Sequence, residues 1–147
     1  ENDMEREERR LKDEELACKI ENHDGGWFAT KWANIPIFES QKRLSLDVQE
    51  RIYKRRAHNS TYALAETLRC SGQGVMPYVG TRLTELSMDC VYISGALDTK
   101  YTTIGRDVFG VLPNFYHVCV ENAGHNVHVE APGQFMTALA EFLYKKG

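Results

Sequence analysis

Two short apolar runs in the second half of the sequence constrain the fold more than any other feature. Residues 90–93 and 115–120 are rich in β-branched and aromatic side chains and are bounded by polar residues. Such continuous runs are typical of strands that are buried on both faces. A helix over about residues 101–109 is expected between them, and a strand–helix–strand unit has parallel strands. The sequence therefore predicts an α/β fold.

Apolar residues at helical spacing account for most of the remaining chain. In the first half, the pattern predicts helices over residues 4–22, 47–57 and 60–70. After Pro132, the spacing i, i+3, i+4, i+7, i+8 predicts an amphipathic C-terminal helix. The residues at this spacing are Phe135, Ala138, Leu139, Phe142 and Leu143.

The order of these elements divides the chain at about residue 75. We expect a helical cap region over residues 1–75 and a C-terminal βαβα part of an α/β core over residues 76–147. Two parallel strands leave two open edges and little sheet to cover, which is unusual for a complete domain. We therefore expect that an N-terminal half of the same fold belongs before Glu1.

Composition excludes several classes of function. The 147 residues include 18 basic and 21 acidic side chains, a net charge of −3, which does not suit nucleic-acid binding by bulk charge. The longest nearly apolar stretch, residues 90–97, is too short to cross a bilayer. No histidine and cysteine spacing suggests a metal site. Six basic residues fall between Lys42 and Arg56, and they fit either an anionic ligand or a solvated helix face.

A polar loop follows each predicted strand. Asp98 lies in the first loop and His125 in the second, and functional groups of open α/β sheets collect at these strand ends. An acid and then a histidine, each just past a strand, is the second half of the Ser, Asp, His order of α/β-hydrolases. There the carboxylate orients the imidazole, which exchanges a proton with the serine.

Simpler interpretations apply to each residue alone. Asp98 could cap the following helix, and His125 could be a turn residue after Gly124. Their order and their matching positions favour the catalytic pair. No stretch of the sequence fits the nucleophile motif G-x-S-x-G, so the chain alone cannot complete a serine triad.

Two longer segments carry a family resemblance. Residues 93–101 (Ile-Ser-Gly-Ala-Leu-Asp-Thr-Lys-Tyr) and 123–132 (Ala-Gly-His-Asn-Val-His-Val-Glu-Ala-Pro) resemble the C-terminal part of the 2-succinyl-6-hydroxy-2,4-cyclohexadiene-1-carboxylate synthases. These are α/β-hydrolase-fold enzymes of menaquinone and phylloquinone biosynthesis. Residues 32–38 and 55–59 resemble the cap of that family. The sequence is most similar to the last domain of the plant multifunctional phylloquinone-biosynthesis proteins.

The resemblance implies a pyruvate-eliminating lyase that uses no cofactor and takes a small anionic substrate. It assigns catalytic roles to Asp98 and His125, a substrate carboxylate to Arg56, and a position lining the pocket to Trp32. It also implies a location in the chloroplast. Without the serine, we expect no activity from the chain alone. The alternatives are part of an α/β-hydrolase esterase, which would use the same Asp98 and His125, and a non-catalytic interaction module.

Overall fold

The computed structural model describes residues 3–146, which form two compact units. One unit contains the residues up to Asn34 together with Leu46–Gly80, and the other contains Ile35–Ser45 together with the residues from Thr81 onward. The boundary at residue 75 stays a prediction. The segment Ile35–Ser45, which precedes this boundary, belongs to the unit that contains the strands. Within residues 3–146, no helix has both the length and the apolar character needed to cross a membrane.

The first unit is built from four helices. α1 packs against α4, and α2 packs against α3. Ala17 and Ile20 of α1 and Ala65 of α4 are fully buried, so small and branched side chains bring the first pair together. The helices are α1 (Asp3–Glu21), α2 (Gly25–Ala33), α3 (Leu46–Ala57) and α4 (Thr61–Ser71). Three of them agree with the predicted helices to within one residue at each end.

Helix α2 was not predicted, because a pair of glycines such as Gly25 and Gly26 usually marks the end of a helix. α1 instead ends at Glu21, and the two glycines form the first turn of α2. Asp24 provides the N-cap, since its Oδ1 accepts a hydrogen bond from the Trp27 backbone N–H at 2.8 Å. A side-chain cap outweighs the low helix propensity of two glycines at the helix start.

The second unit contains the predicted parallel strands. β1 (Cys90–Gly95) and β2 (Phe115–Val120) pair in register from Cys90 opposite Phe115 to Gly95 opposite Val120. The other elements are two 3-10 helices (Pro36–Arg43 and Gly80–Glu85), α5 (Thr99–Ile104), a π-helical turn (Gly105–Phe109), α6 (Val127–Glu130) and α7 (Pro132–Lys146). The predicted helix over residues 101–109 is thus an α-helix followed by a π-helical turn.

The core of this unit lies next to the polar loop that follows β2. Val120, Ala123 and Val127 are buried, and Ile93 and Phe135 pack against them. These residues come from both strands, from the loop after β2 and from the two final helices. The core therefore fixes where the polar loop after β2 leaves the sheet.

Candidate active site

Asp98 and His125 are in contact at the carboxyl ends of the two strands. Nδ1 of His125 lies 2.6 Å from Oδ2 of Asp98. The Asp98 side chain is 7% exposed, whereas the His125 side chain is 28% exposed. A buried carboxylate at Nδ1 favours the tautomer in which Nδ1 carries the proton, and it leaves Nε2 as the basic nitrogen. This arrangement can accept a proton at Nε2 and stabilise the resulting imidazolium.

Asp98 also caps a helix, as the simpler interpretation of the sequence expected, and the cap coexists with its contact to His125. Its Oδ1 accepts a hydrogen bond from the Tyr101 backbone N–H at 3.2 Å, at the start of α5. The carboxylate therefore uses one oxygen for the helix and the other for His125. The cap fixes the side-chain rotamer that presents Oδ2 to the imidazole.

Backbone contacts hold the two loops together. The Leu97 N–H donates to the Ala123 carbonyl at 2.9 Å. Gly95 permits this approach, because a Cβ at that position would lie 2.2 Å from the Gly124 carbonyl oxygen and 2.3 Å from that of Ala123. The glycine that ends β1 is therefore required by the close packing of the two loops.

Two aromatic rings surround the imidazole of His125. The Tyr101 ring meets it edge-on with the centroids 4.7 Å apart, and the Phe38 ring does so at 5.8 Å. Phe38 belongs to the 3-10 helix Pro36–Arg43 and is buried. Sequence reasoning identified neither ring as part of the site, because each reaches His125 through the tertiary fold. Their packing restricts rotation of the imidazole.

A cavity of about 400 Å³ adjoins Asp98. Asp98 and Thr99 line it together with Lys42 and Arg43 of the 3-10 helix. Nζ of Lys42 forms an ion pair with Glu39 at 2.7 Å. Two members of the basic segment noted in the sequence therefore lie near the candidate site.

Arg56 and Trp32, the two substrate-binding residues implied by the resemblance, belong to the helical unit. Arg56 lies in α3 and is half-buried, and burial lowers the pKa of its guanidinium from the ordinary value. Trp32 lies in α2 with its ring 5.0 Å from that of Phe28. Their roles in binding a substrate stay predictions.

The other two histidines of the second unit, His117 and His128, contact neither Asp98 nor His125 in the contacts described for them. Nε2 of His117 lies 2.8 Å from Oγ of the buried Ser94. Burial lowers the pKa of His117, and the nearby Arg106 lowers it further. His128 is exposed and meets the Phe135 ring edge-on. Among residues 3–146, no group of three or more His, Cys, Asp or Glu side chains is arranged to hold a metal ion.

Comparison with known proteins identifies relatives that extend over nearly the whole chain. A Bacillus subtilis protein that carries the name 2-succinyl-6-hydroxy-2,4-cyclohexadiene-1-carboxylate synthase is 37% identical over 95% of this chain. A synthase of the same name from Salmonella enteritidis is 28% identical over 97% of it. The chain is related to the C-terminal half of these synthases. No protein-family model matches the sequence.

Solved structures agree with this relationship. MenH from S. aureus superimposes with a TM-score of 0.95 at 29% identity, covering 99% of this chain and 55% of that one. A thermophilic esterase from Thermogutta terrifontis has a TM-score of 0.77 at 21% identity over 94% of this chain and 50% of its own, which indicates a shared fold alone. The predicted synthase resemblance and the predicted α/β-hydrolase fold are confirmed. The chain spans about half the length of the curated relatives it matches, 51% and 53% for the two named above.

Proposed function

We propose that this chain supplies the aspartate and the histidine of a Ser-His-Asp triad in a 2-succinyl-6-hydroxy-2,4-cyclohexadiene-1-carboxylate synthase. The observation that carries the proposal is the 2.6 Å contact between His125 Nδ1 and Asp98 Oδ2 at two neighbouring strand ends. The similarity to synthases along almost the entire chain supports the choice of reaction. The reaction is an elimination, in which pyruvate leaves as a ring double bond forms.

In this proposal, His125 acts as the general base. Its Nε2 takes the proton of a serine hydroxyl while the serine oxygen removes a proton from the substrate, and the imidazolium then gives its proton to the departing pyruvate. The buried Asp98 carboxylate stabilises the imidazolium while the proton resides on His125. The serine comes from the N-terminal half of the fold, because the 147 residues contain no G-x-S-x-G motif.

Arg56 is proposed to bind a carboxylate of the substrate. A guanidinium presents a planar fork of donors that matches a carboxylate, and it stays charged at neutral pH even when half-buried. Trp32 is proposed to line the apolar part of the same pocket. Both assignments rest on the resemblance of residues 32–38 and 55–59 to the synthase cap.

We extend the proposal to phylloquinone biosynthesis in the chloroplast. The support is the resemblance of residues 93–101 and 123–132 to the last domain of the plant multifunctional proteins. Fractionation of source cells followed by immunodetection tests the location. Enrichment with chloroplast stroma is expected, and a chain found only in the cytosol would contradict it.

A chimera tests the proposed reaction directly. In it, this chain replaces the matching half of the Bacillus subtilis relative, so that the serine is present. We expect the chimera to release pyruvate from the pyruvate-bearing precursor of 2-succinyl-6-hydroxy-2,4-cyclohexadiene-1-carboxylate, and the 147-residue chain to release none. A folded chimera that hydrolyses p-nitrophenyl acetate but leaves the precursor intact would favour the esterase alternative.

A further inference from the structure

The carboxylate of Glu130 binds the backbone on both sides of His125. Oε2 accepts a hydrogen bond from the Gly124 N–H at 2.8 Å, and Oε1 accepts one from the Asn126 N–H at 3.2 Å. Both bonds are partly buried, and Gly124 itself is buried. The two amides that flank His125 are thus held by one side chain.

Helix capping explains only one of these bonds. Asn126 is the N-cap residue of α6, and Glu130 lies one residue beyond the N3 position from which a glutamate commonly accepts from the N-cap amide. Gly124 lies two residues before the cap, outside the helix. Its bond to Glu130 therefore serves the loop, where the chain carries His125 from the end of β2 towards Asp98.

The surroundings of Gly124 show that this backbone position is tightly fixed. A Cβ at Gly124 would lie 2.0 Å from Oγ of Ser40 and 2.9 Å from Oε2 of Glu130. The loop is thus packed against a side chain on one side and bonded to a carboxylate on another. A change in the Glu130 contact would be transmitted to the backbone of His125 rather than absorbed by free space.

We infer that Glu130 is a positioning residue for His125, which holds the imidazole in line with Asp98 through the amides of Gly124 and Asn126. This inference rests on the proposed function, in which His125 is the general base. Hydrogen bonds from neutral amides to a carboxylate are stronger than those to a neutral acceptor. A charged side chain is therefore better suited than an amide to fixing this loop.

The test compares Glu130→Gln with Glu121→Gln in the 147-residue chain. Glu121 is an exposed acid at the start of the same loop, so its replacement changes the net charge equally. Proton NMR follows the Nδ1–H signal of His125, which is identified by its disappearance in His125→Ala. In Glu130→Gln, we expect this proton to exchange with water at least about tenfold faster, as for the loss of one charge-assisted hydrogen bond. In Glu121→Gln, the exchange rate should not change.

Kinetics of the chimera provide a second measurement. A misaligned base lowers kcat without weakening substrate binding, so Glu130→Gln should reduce kcat by about 10- to 100-fold and leave KM within about twofold. An inactive parent chimera would count against the proposed function, while the exchange measurement in the chain would still decide the role of Glu130.

Two results would overturn the inference. One is an Nδ1–H exchange rate in Glu130→Gln equal to that in Glu121→Gln. The other is a lowered melting temperature in Glu130→Gln with no selective change at His125, since this would describe a purely structural residue. If Glu130→Ala fails to fold, the closely isosteric Glu130→Gln still separates these outcomes.

Discussion

Leu97 and Ala123 join the two loops of the candidate site through a backbone hydrogen bond, from the Leu97 N–H to the Ala123 carbonyl at 2.9 Å. Asp98 follows Leu97 directly, and His125 lies two residues after Ala123. This bond, together with the one from the Ala96 N–H to the Val120 carbonyl at 2.9 Å, holds the two loops close together at the ends of the strands. Backbone hydrogen bonds therefore contribute to the alignment of Asp98 with His125.

Gly95→Ala should destabilise the second unit, because the added Cβ would lie 2.2 Å from the Gly124 carbonyl oxygen. Forcing an extra methyl into such a close contact costs about 1 to 3 kcal/mol in the free energy of unfolding. Urea unfolding followed by circular dichroism measures the loss. Gly133→Ala is the matched control, because nothing lies within 4 Å of a Cβ at that position in α7. Equal stability of the two variants would contradict the close packing of the loops.

The free energy of unfolding should fall as the pH drops below about 6.5, because burial lowers the pKa of His117 from 6.5 in the folded chain. The unfolded chain then binds more protons than the folded chain, so the stabilisation is present above the unfolded pKa and is lost as the pH falls through the folded one. His117→Gln should flatten the dependence relative to the exposed-residue control His128→Gln. Parallel pH profiles of the two variants would contradict this origin.

Arg69→Gln should lower the melting temperature of the helical unit. Arg69 of α4 forms ion pairs with Glu14 and Glu21 of α1 at 3.1 and 2.6 Å, and with Glu66 at 3.1 Å. These hydrogen bonds raise its pKa. Arg82→Gln, which removes an exposed pair within one 3-10 helix, is the control. The difference between the two variants should shrink at high salt, and a melting temperature equal to that of Arg82→Gln would show that the network between α1 and α4 adds no stability.

Arg56→Ala should raise KM in the chimera more than it disturbs folding. Losing a charge-assisted contact to a carboxylate costs about 1.5 to 3 kcal/mol, which is roughly one to two decades in binding. Arg56→Lys should restore only part of the loss, since a point charge lacks the planar fork. Arg55→Ala is the neighbouring control, and an effect confined to that variant would move the substrate contact by one residue.

The parts of the fold that the sequence predicted are those with a local signature. Residues 90–93 and 115–120 are short runs rich in β-branched and aromatic side chains, and this signature locates both strands even though Tyr116 and Cys119 are exposed. Helix α2 was missed because two glycines outweighed the cap of Asp24 in the pattern. Composition and spacing do not show whether a capping side chain will offset the low helix propensity of two glycines.

The surroundings of His125 were less predictable, because they depend on contacts between distant segments. Phe38 reaches the imidazole from 87 positions earlier in the chain, and no periodicity connects the two. Glu130 lies within the family-like segment 123–132, but the sequence does not show that its carboxylate binds the backbone of Gly124. The family-like segment contains Glu130, and the structure shows which backbone amides its carboxylate binds.

The central claim is that His125 is the general base of a catalytic triad and that the Asp98 carboxylate orients it. Pyruvate release by the chimera, compared between His125→Ala and His128→Ala, tests it most directly, because the two histidines lie three residues apart and only His125 contacts Asp98. The account predicts a loss on the order of 10⁶-fold in kcat for His125→Ala and activity close to that of the parent for His128→Ala. Unchanged release by a folded His125→Ala chimera would contradict it.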